Sequence, residues 1–373
     1  MNGSSPKVFR LAAVFLTFLV FLSGCGTSSA PSVSTPKKDE SAKSTPKELK
    51  TIRITTATSG ANVTSINSFL GDALGYLGEE GYKMQFVPTG SAGNTMVALM
   101  KGDADIITTD ELALFTAKAK GDPTPVLFYE FTYPSKWDMV VPEGSPIQKL
   151  EDLKGKTVGV ADHGQTRAAE AALELAGLKK DVDYKLLDTG EAGSSAEAIR
   201  KGVISALFTY DTLIGTIENV GIKLRYLPRP PKFPRVGGVF YATTPDMIKN
   251  HPEVLIAYTR AVSKSTLYIK NNPVAGAKVF KKAFPNSVPT GKNEEEQINA
   301  LVSAFKNRMK LWDPDLPGLK LGQIDESEFR DAAVFYGFAD KIKTYDWMYT
   351  NQFIDQANNF DPGKIKAQAE AYK

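Results

Sequence analysis

The sequence predicts an α/β protein of two similar lobes, each a mostly parallel sheet flanked by helices, with a cleft between them. Three observations carry this expectation. A strand–helix–strand–helix–strand order runs over residues 51–110 and returns over residues 156–211. Its landmarks recur in step: Gly90 matches Gly190, Lys101-Gly102 matches Lys201-Gly202, and Asp110 matches Asp211. Two connections suit passage between lobes: residues 137–141, and a second that joins Pro228, Pro230 and Pro231 to Gly237-Gly238. The prolines stiffen that crossing, while the glycines can absorb dihedral change.

Ahead of the lobes, Lys7 and Arg10 precede an apolar run over residues 11–22, which ends at Leu22-Ser23-Gly24-Cys25. A basic start, a short apolar block and small residues describe a secretory signal peptide over residues 1–24. The block is shorter than the roughly 20 residues a spanning helix needs. Residues 25–50 are rich in Ser, Thr, Pro and Lys and offer little to bury, so they read as a solvated tether.

In the first lobe, residues 51–55 form a strand, and a loop with Ser59 and Asn62 leads to a helical face of Ile66, Phe69, Leu70, Leu74 and Leu77. A strand at 82–87, a small-residue loop with Ser91 and Asn94, and a helix at 95–101 follow. The third strand, at 104–107, stops at Thr108-Thr109-Asp110. The second lobe repeats this with a strand at 156–160, the loop His163-Gly164-Gln165-Thr166, a helix at 167–176 and a strand at 184–187. The loop at 190–194 and a last strand ending in Tyr210-Asp211 complete it. The expected organisation is residues 51–136 for the first part of lobe 1, 137–239 for lobe 2, and 240–373 for the completion of lobe 1 and the C-terminal helices. Thr244-Pro245 and Asn272-Pro273 place capping residues before first-turn prolines. Asn293 with Glu296, and Asp325 with Glu328, fit capping boxes. These helices are expected to pack back onto the first lobe.

The 373 residues are 42% apolar and 23% charged, enough for two globular lobes. A net charge of +3 argues against nucleic acid as a partner. One cysteine permits no internal disulfide, and two histidines, His163 and His251, leave no zinc-ligand spacing, so neither metal nor cofactor is expected. Gly155-Lys156-Thr157 imitates the end of a phosphate loop, but Leu150 stands where that loop needs glycine and a strand follows instead of a helix. Asp162 beside His163 offers a general base without an activated nucleophile, and the chain is expected not to be an enzyme.

Ligands of open parallel sheets gather at the carboxyl ends of strands, where helix N-termini converge. Ser59, Asn62, Ser91, Asn94, Thr109, Asp110, Trp137, His163, Gln165, Thr166, Tyr210 and Asp211 stand at such junctions or on the first crossing, and are the expected ligand-binding residues. Turn and cap chemistry explains any one of these loops alone. The carboxylates of Asp110, Glu111, Glu191 and Asp211 either cap helices and pair with Arg229 and Arg235, or face the cleft and call for a ligand that presents donors.

Thr89-Gly90-Ser91-Ala92-Gly93, Leu99-Met100-Lys101-Gly102-Asp103-Ala104-Asp105 and Leu150-Glu151-Asp152-Leu153-Lys154-Gly155-Lys156-Thr157-Val158-Gly159-Val160 carry a resemblance to a known family. Residues 51–276 resemble the solute-binding proteins of ABC importers, in the aliphatic-sulfonate, nitrate and taurine branch that includes binders of thiamine-precursor pyrimidines. Leu22-Ser23-Gly24-Cys25 resembles the lipobox of bacterial lipoproteins. The resemblance implies a type II periplasmic-binding-protein-like fold and capture of a small organic solute by lobe closure. It further implies a monomer that delivers its solute to permease subunits driven by a cytoplasmic ATPase. An acylated Cys25 would anchor it in the lipid bilayer, on the extracytoplasmic face of the cell membrane. The alternative is a surface sensor or enzyme built on the same fold. Past Pro285 the resemblance fades.

Overall fold

The computed structural model describes residues 48–288 and 290–372, so the expected signal peptide, Cys25 and nearly all of the tether lie outside the described residues. The chain opens with β1 (Lys50–Thr55), α1 (Ile66–Ala73), α2 (Tyr76–Glu79), β2 (Tyr82–Phe86), α3 (Ala92–Lys101), β3 (Ile106–Thr109), α4 (Glu111–Ala119) and β4 (Val126–Thr132). It crosses on β5 (Trp137–Pro142) and builds β6 (Lys156–Val160), α5 (Thr166–Leu175), β7 (Tyr184–Asp188), α6 (Ala192–Arg200), β8 (Ala206–Tyr210), α7 (Asp211–Glu218) and β9 (Leu224–Tyr226). It returns on β10 (Val239–Thr243) and continues through α8 (Pro245–Asn250), α9 (Pro252–Asn271), α10 (Pro273–Ala283), α11 (Glu294–Met309), α12 (Glu326–Tyr336), α13 (Ile354–Ala357) and α14 (Pro362–Ala371). No helix among the described residues is long and apolar enough to cross a membrane.

The two sheets share one plan, β2-β1-β3-β10-β4 and β7-β6-β8-β5-β9. In each, four strands point the same way and one runs against them. The reversed strands, β10 and β5, are the ones on which the chain crosses. The internal repeat extends to register: Lys50 pairs with Tyr82 in one sheet and Lys156 with Tyr184 in the other.

Local chemistry moves three expected boundaries. β3 takes in Thr108 and Thr109, whose β-branched side chains are buried and which pair with Tyr241 and Phe240 of β10. α3 begins at Ala92, because Ser91 Oγ accepts the Asn94 N–H at 3.2 Å and turns the small-residue loop into a capped first turn. β4 has no forerunner in the sequence reading: every residue of VLFYEFT is buried, so it shows neither alternation nor a helical period.

The C-terminal helices pack only partly as expected. Thr244 and Asn272 cap their helices, and Asn293 with Glu296 forms a reciprocal box at 2.9 Å in both directions. α9 and α10 lie on α1, with α13 and α14 on α9. α11, however, packs along α7 of the second lobe, and α12 wedges between α4 and α5. Phe329, Ala332 and Phe335 of α12 thereby share one apolar core with Phe115 of the first lobe and Val158 of the second. At the end of α11, buried Arg308 donates from Nε to Asp211 at 2.6 Å and from Nη1 to the Thr64 carbonyl at 2.7 Å, gripping both lobes. Arg229 and Arg235 are engaged elsewhere, with Asp138 and with Asp315 and Asp325.

The second crossing is pinned rather than free. The Gly237 N–H donates to Glu111 at 2.8 Å, and the Gly238 N–H to Glu130 at 3.2 Å. A Cβ on Gly238 would fall 2.0 Å from the Thr132 carbonyl oxygen, so glycine serves close approach to β4 here. Glu111, Glu130 and Glu328 are all buried, and Arg235 Nη1 lies 3.2 Å from Glu328. Glu111, Glu130 and Glu328 repel one another when charged, which favours the protonated form in this cluster. Burial, then mutual repulsion, pushes Glu111 and Glu130 well above the carboxylate range; burial lifts Glu328 to about 7 against the pull of Arg235.

Two expectations follow from these buried charges. Asp211→Asn leaves Arg308 without its counter-charge and should cost about 3–5 kcal/mol in urea unfolding; a loss below about 1 kcal/mol would show that the pair does not hold α11. Each of these glutamates has a folded-state pKa above its unfolded one, so its stabilisation is full at acid pH and is lost as pH rises through the folded value, about 7 for Glu328. Glu130→Gln keeps an acceptor for Gly238 without titrating. Its unfolding free energy should therefore gain on wild type between pH 5 and pH 9, by about 1.4 kcal/mol for each unit over which wild type releases one such proton on unfolding, read as a rising relative melting temperature. Parallel melting curves across that span would contradict a Glu130 that is held protonated in the folded state.

Candidate functional site

A cavity of about 970 Å³ lies where the carboxyl ends of β1, β6 and β8 meet. Its first wall comes from residues 57–64 and Gly90-Ser91 of the first lobe. Asn62 Oδ1 accepts the Thr64 N–H at 3.0 Å and opens a short 3-10 turn, Val63–Ser65. The opposite wall comes from Ala161, Asp162, His163, Asp188, Gly190 and Glu191 of the second lobe. There Asp162 accepts the Gly164 N–H at 2.9 Å, and Asp188 accepts the Gly190 N–H at 3.1 Å and lies 3.5 Å from His163 Nδ1. Lys136, Trp137 and Tyr210 contribute further wall from β5 and β8. Residues 286–288, Lys292 and Ala300, Leu301 and Ala304 of α11 line it too, beside Thr216, Asn219 and Val220 of α7 and the turn that follows it.

Six of the twelve expected residues, Ser59, Asn62, Ser91, Trp137, His163 and Tyr210, stand on this wall together. The other six lie off it. Asn94 Nδ2 donates to the Thr89 carbonyl at 2.9 Å, and Thr166 Oγ1 to the His163 carbonyl at 2.8 Å. Thr109 is buried in β3. Asp110 caps α4 through the Ala113 N–H at 3.0 Å and accepts from Gln165 Nε2 at 2.7 Å, a hydrogen bond that joins the two lobes. Thr64 and Thr212 make a second joining contact, 3.0 Å between hydroxyls. Asp211 is taken by Arg308. The carboxylates at the matched strand ends thus have protein partners.

Sequence reasoning missed Lys136 and the α11 wall. Lys136 adjoins Trp137, whose ring stacks on Phe208 and meets Tyr210 edge-on. Its ammonium lies 5.3 Å from the Trp137 ring centroid and 5.5 Å from that of Tyr210. Burial first, then Arg308, brings this lysine down to about 8, against the opposing pull of Asp110, Asp211 and Asp162. The signal available was a lone cation between buried aromatics at a crossing. The α11 wall had none, because its residues approach the cleft only through tertiary packing.

Among solved structures, the chain is similar to the alkanesulfonate-binding protein SsuA from Xanthomonas axonopodis pv. citri bound to MOPS. The two are 16% identical, covering 83% of this chain and 98% of that one, with a TM-score of 0.57. It is similar to the ligand-binding component of an ABC-type import system from Staphylococcus aureus, at 14% identity over 84% and 100% of the two chains, TM-score 0.59. It is also similar to the desulfurization enzyme DszB, at 12% identity over 83% and 99%, TM-score 0.51. At these identities the likeness is one of fold, which is the periplasmic-binding-protein fold. No curated protein sequence matches the chain. The family description "NMT1/THI5 like" fits residues 62–275, more than half of the chain. The chain belongs to the NMT1/THI5-like family.

Proposed function

We propose that this protein is the extracytoplasmic solute-binding lipoprotein of an ABC import system. It captures a small organic solute, sulfonate- or taurine-like or pyrimidine-like, between its lobes and hands it to permease subunits driven by a cytoplasmic ATPase. The observation that carries this reading is the cavity itself. Its volume suits a small organic molecule, and loops from both lobes form its walls at strand ends where such folds hold ligands. The similarity to binding components of import systems supports the same reading. Asp110 with Gln165 and Thr64 with Thr212 join the lobes, so a solute that touches both walls would favour this joined arrangement over an open one.

Binding without turnover is the expected behaviour. Native mass spectrometry of the gently purified protein should reveal a retained small molecule. Adding that molecule back at 100 times its Kd to stripped protein should stabilise it by about 2.7 kcal/mol. The molecule should be recovered chemically unchanged; conversion to a product on incubation would favour an enzyme on this fold instead.

Anchoring through Cys25 is the second part of the proposal, resting on the lipobox-like Leu22-Ser23-Gly24-Cys25. Cys25→Ala should move the processed protein from the membrane fraction to the soluble one. Retention of processed variant at the wild-type level would rule out the acyl anchor.

A further inference from the structure

Lys136 differs from the other lysines held inside the molecule. Lys118 donates to the Pro123 carbonyl at 3.0 Å and Lys264 to Glu79 at 2.8 Å, so each buried ammonium has an oxygen. Lys136 is half-buried on the cavity wall, yet among the described residues its Nζ makes neither a hydrogen bond nor an ion pair. What it has is the faces of Trp137 and Tyr210, which attract an ammonium but leave its three donors without an oxygen acceptor.

The nearby carboxylates do not fill that need. Asp110 accepts the Ala113 N–H and Gln165, Asp211 pairs with Arg308, and Asp162 Oδ1 accepts the Gly164 N–H; their charges act on Lys136, but none of them makes a hydrogen bond or ion pair with its Nζ. Arg308 adds a like charge from behind Asp211. The other lysine on the cavity wall, Lys292, is exposed and satisfied by solvent. A fixed, partly desolvated cation with open donors, in a cavity large enough for a small molecule, is a receptor for an oxyanion.

Building on the solute-binding reading above, we propose that Lys136 receives an acidic, oxygen-bearing end of the solute, a sulfonate or carboxylate, and so decides which solutes the cleft accepts. A molecule with no acceptor at that end, such as a simple amine, leaves those donors unpaired and is rejected for that reason. The aromatic faces set where the ammonium sits, and the solute supplies what they cannot.

The test uses the full mature chain as wild type, Lys136→Met and Lys136→Arg, with ethanesulfonate, taurine, inorganic sulfate and ethylamine as probes. Melting temperature reports binding, and reductive methylation followed by peptide mass spectrometry reports access to Lys136 without any mutation. At least one oxyanion should raise the wild-type melting temperature and slow labelling of Lys136 about tenfold while the exposed lysines react as before. Its affinity should fall some thirtyfold or more in Lys136→Met and recover in part in Lys136→Arg; ethylamine should do neither. An oxyanion that stabilises wild type and Lys136→Met alike, or that binds without protecting Lys136, overturns the assignment and leaves solute binding standing. Failure of all three oxyanions to stabilise or protect also overturns it. A solute retained by purified wild type then keeps the broader reading alive, and its absence removes both.

Discussion

The Arg308 guanidinium grips the Asp211 carboxylate of the second lobe and the Thr64 carbonyl of the first, in a place closed to solvent. A buried pair of this kind contributes less to net stability than to geometry, because both ions give up their water to form it. Here the geometry is that of the cleft. Seating Arg308 presses α11 against α7, and this brings Ala300, Leu301 and Ala304 to the cavity. It also engages Asp211, one of the carboxylates whose charge acts on Lys136, while the Lys136 ammonium keeps no oxygen partner of its own among the described residues.

The junction between lobes is polar on one side and apolar on the other. Toward the cavity it includes Asp110 with Gln165 and Thr64 with Thr212, beside the buried Arg308 bond to the Thr64 carbonyl. Away from it, α12 inserts Phe329 and Phe335 between α4 and α5, where separation would expose apolar area. The second crossing is tied to the first lobe as well, through Gly237 on Glu111 and Gly238 on Glu130.

The lobes were legible in the sequence because their signals are local and doubled. Gly102 and Gly202 each follow a helix at positive φ, and Asp110 and Asp211 each stand where a strand gives way to a helix. Six expected residues met on one wall because strand ends converge in any sheet of this kind. The misses share another cause. β4 is buried on both faces and loses the alternation that marks a strand, while Glu130 within it reads as a polar interruption. Asp211 stood out, but its partner is on a helix from the far end of the chain, and no periodicity announces that pairing. Lys136 gains its meaning from the absence of a neighbour, which only coordinates can reveal.

The place of β10 in the first sheet fixes an order of assembly. β10 lies between β3 and β4 and pairs with both, although β5 to β9 intervene in the chain. The second sheet draws all five strands from one uninterrupted segment, so it has every partner as soon as β9 exists. The first sheet has a gap at its centre until the chain has come back, and closing that gap spans the whole intervening lobe. The inserted lobe therefore can become native on its own schedule, while the enclosing one must wait for it. A chain emerging N-terminus first would leave the edges of β3 and β4 unpaired throughout that interval. That is when the protein has most to gain from a holding chaperone.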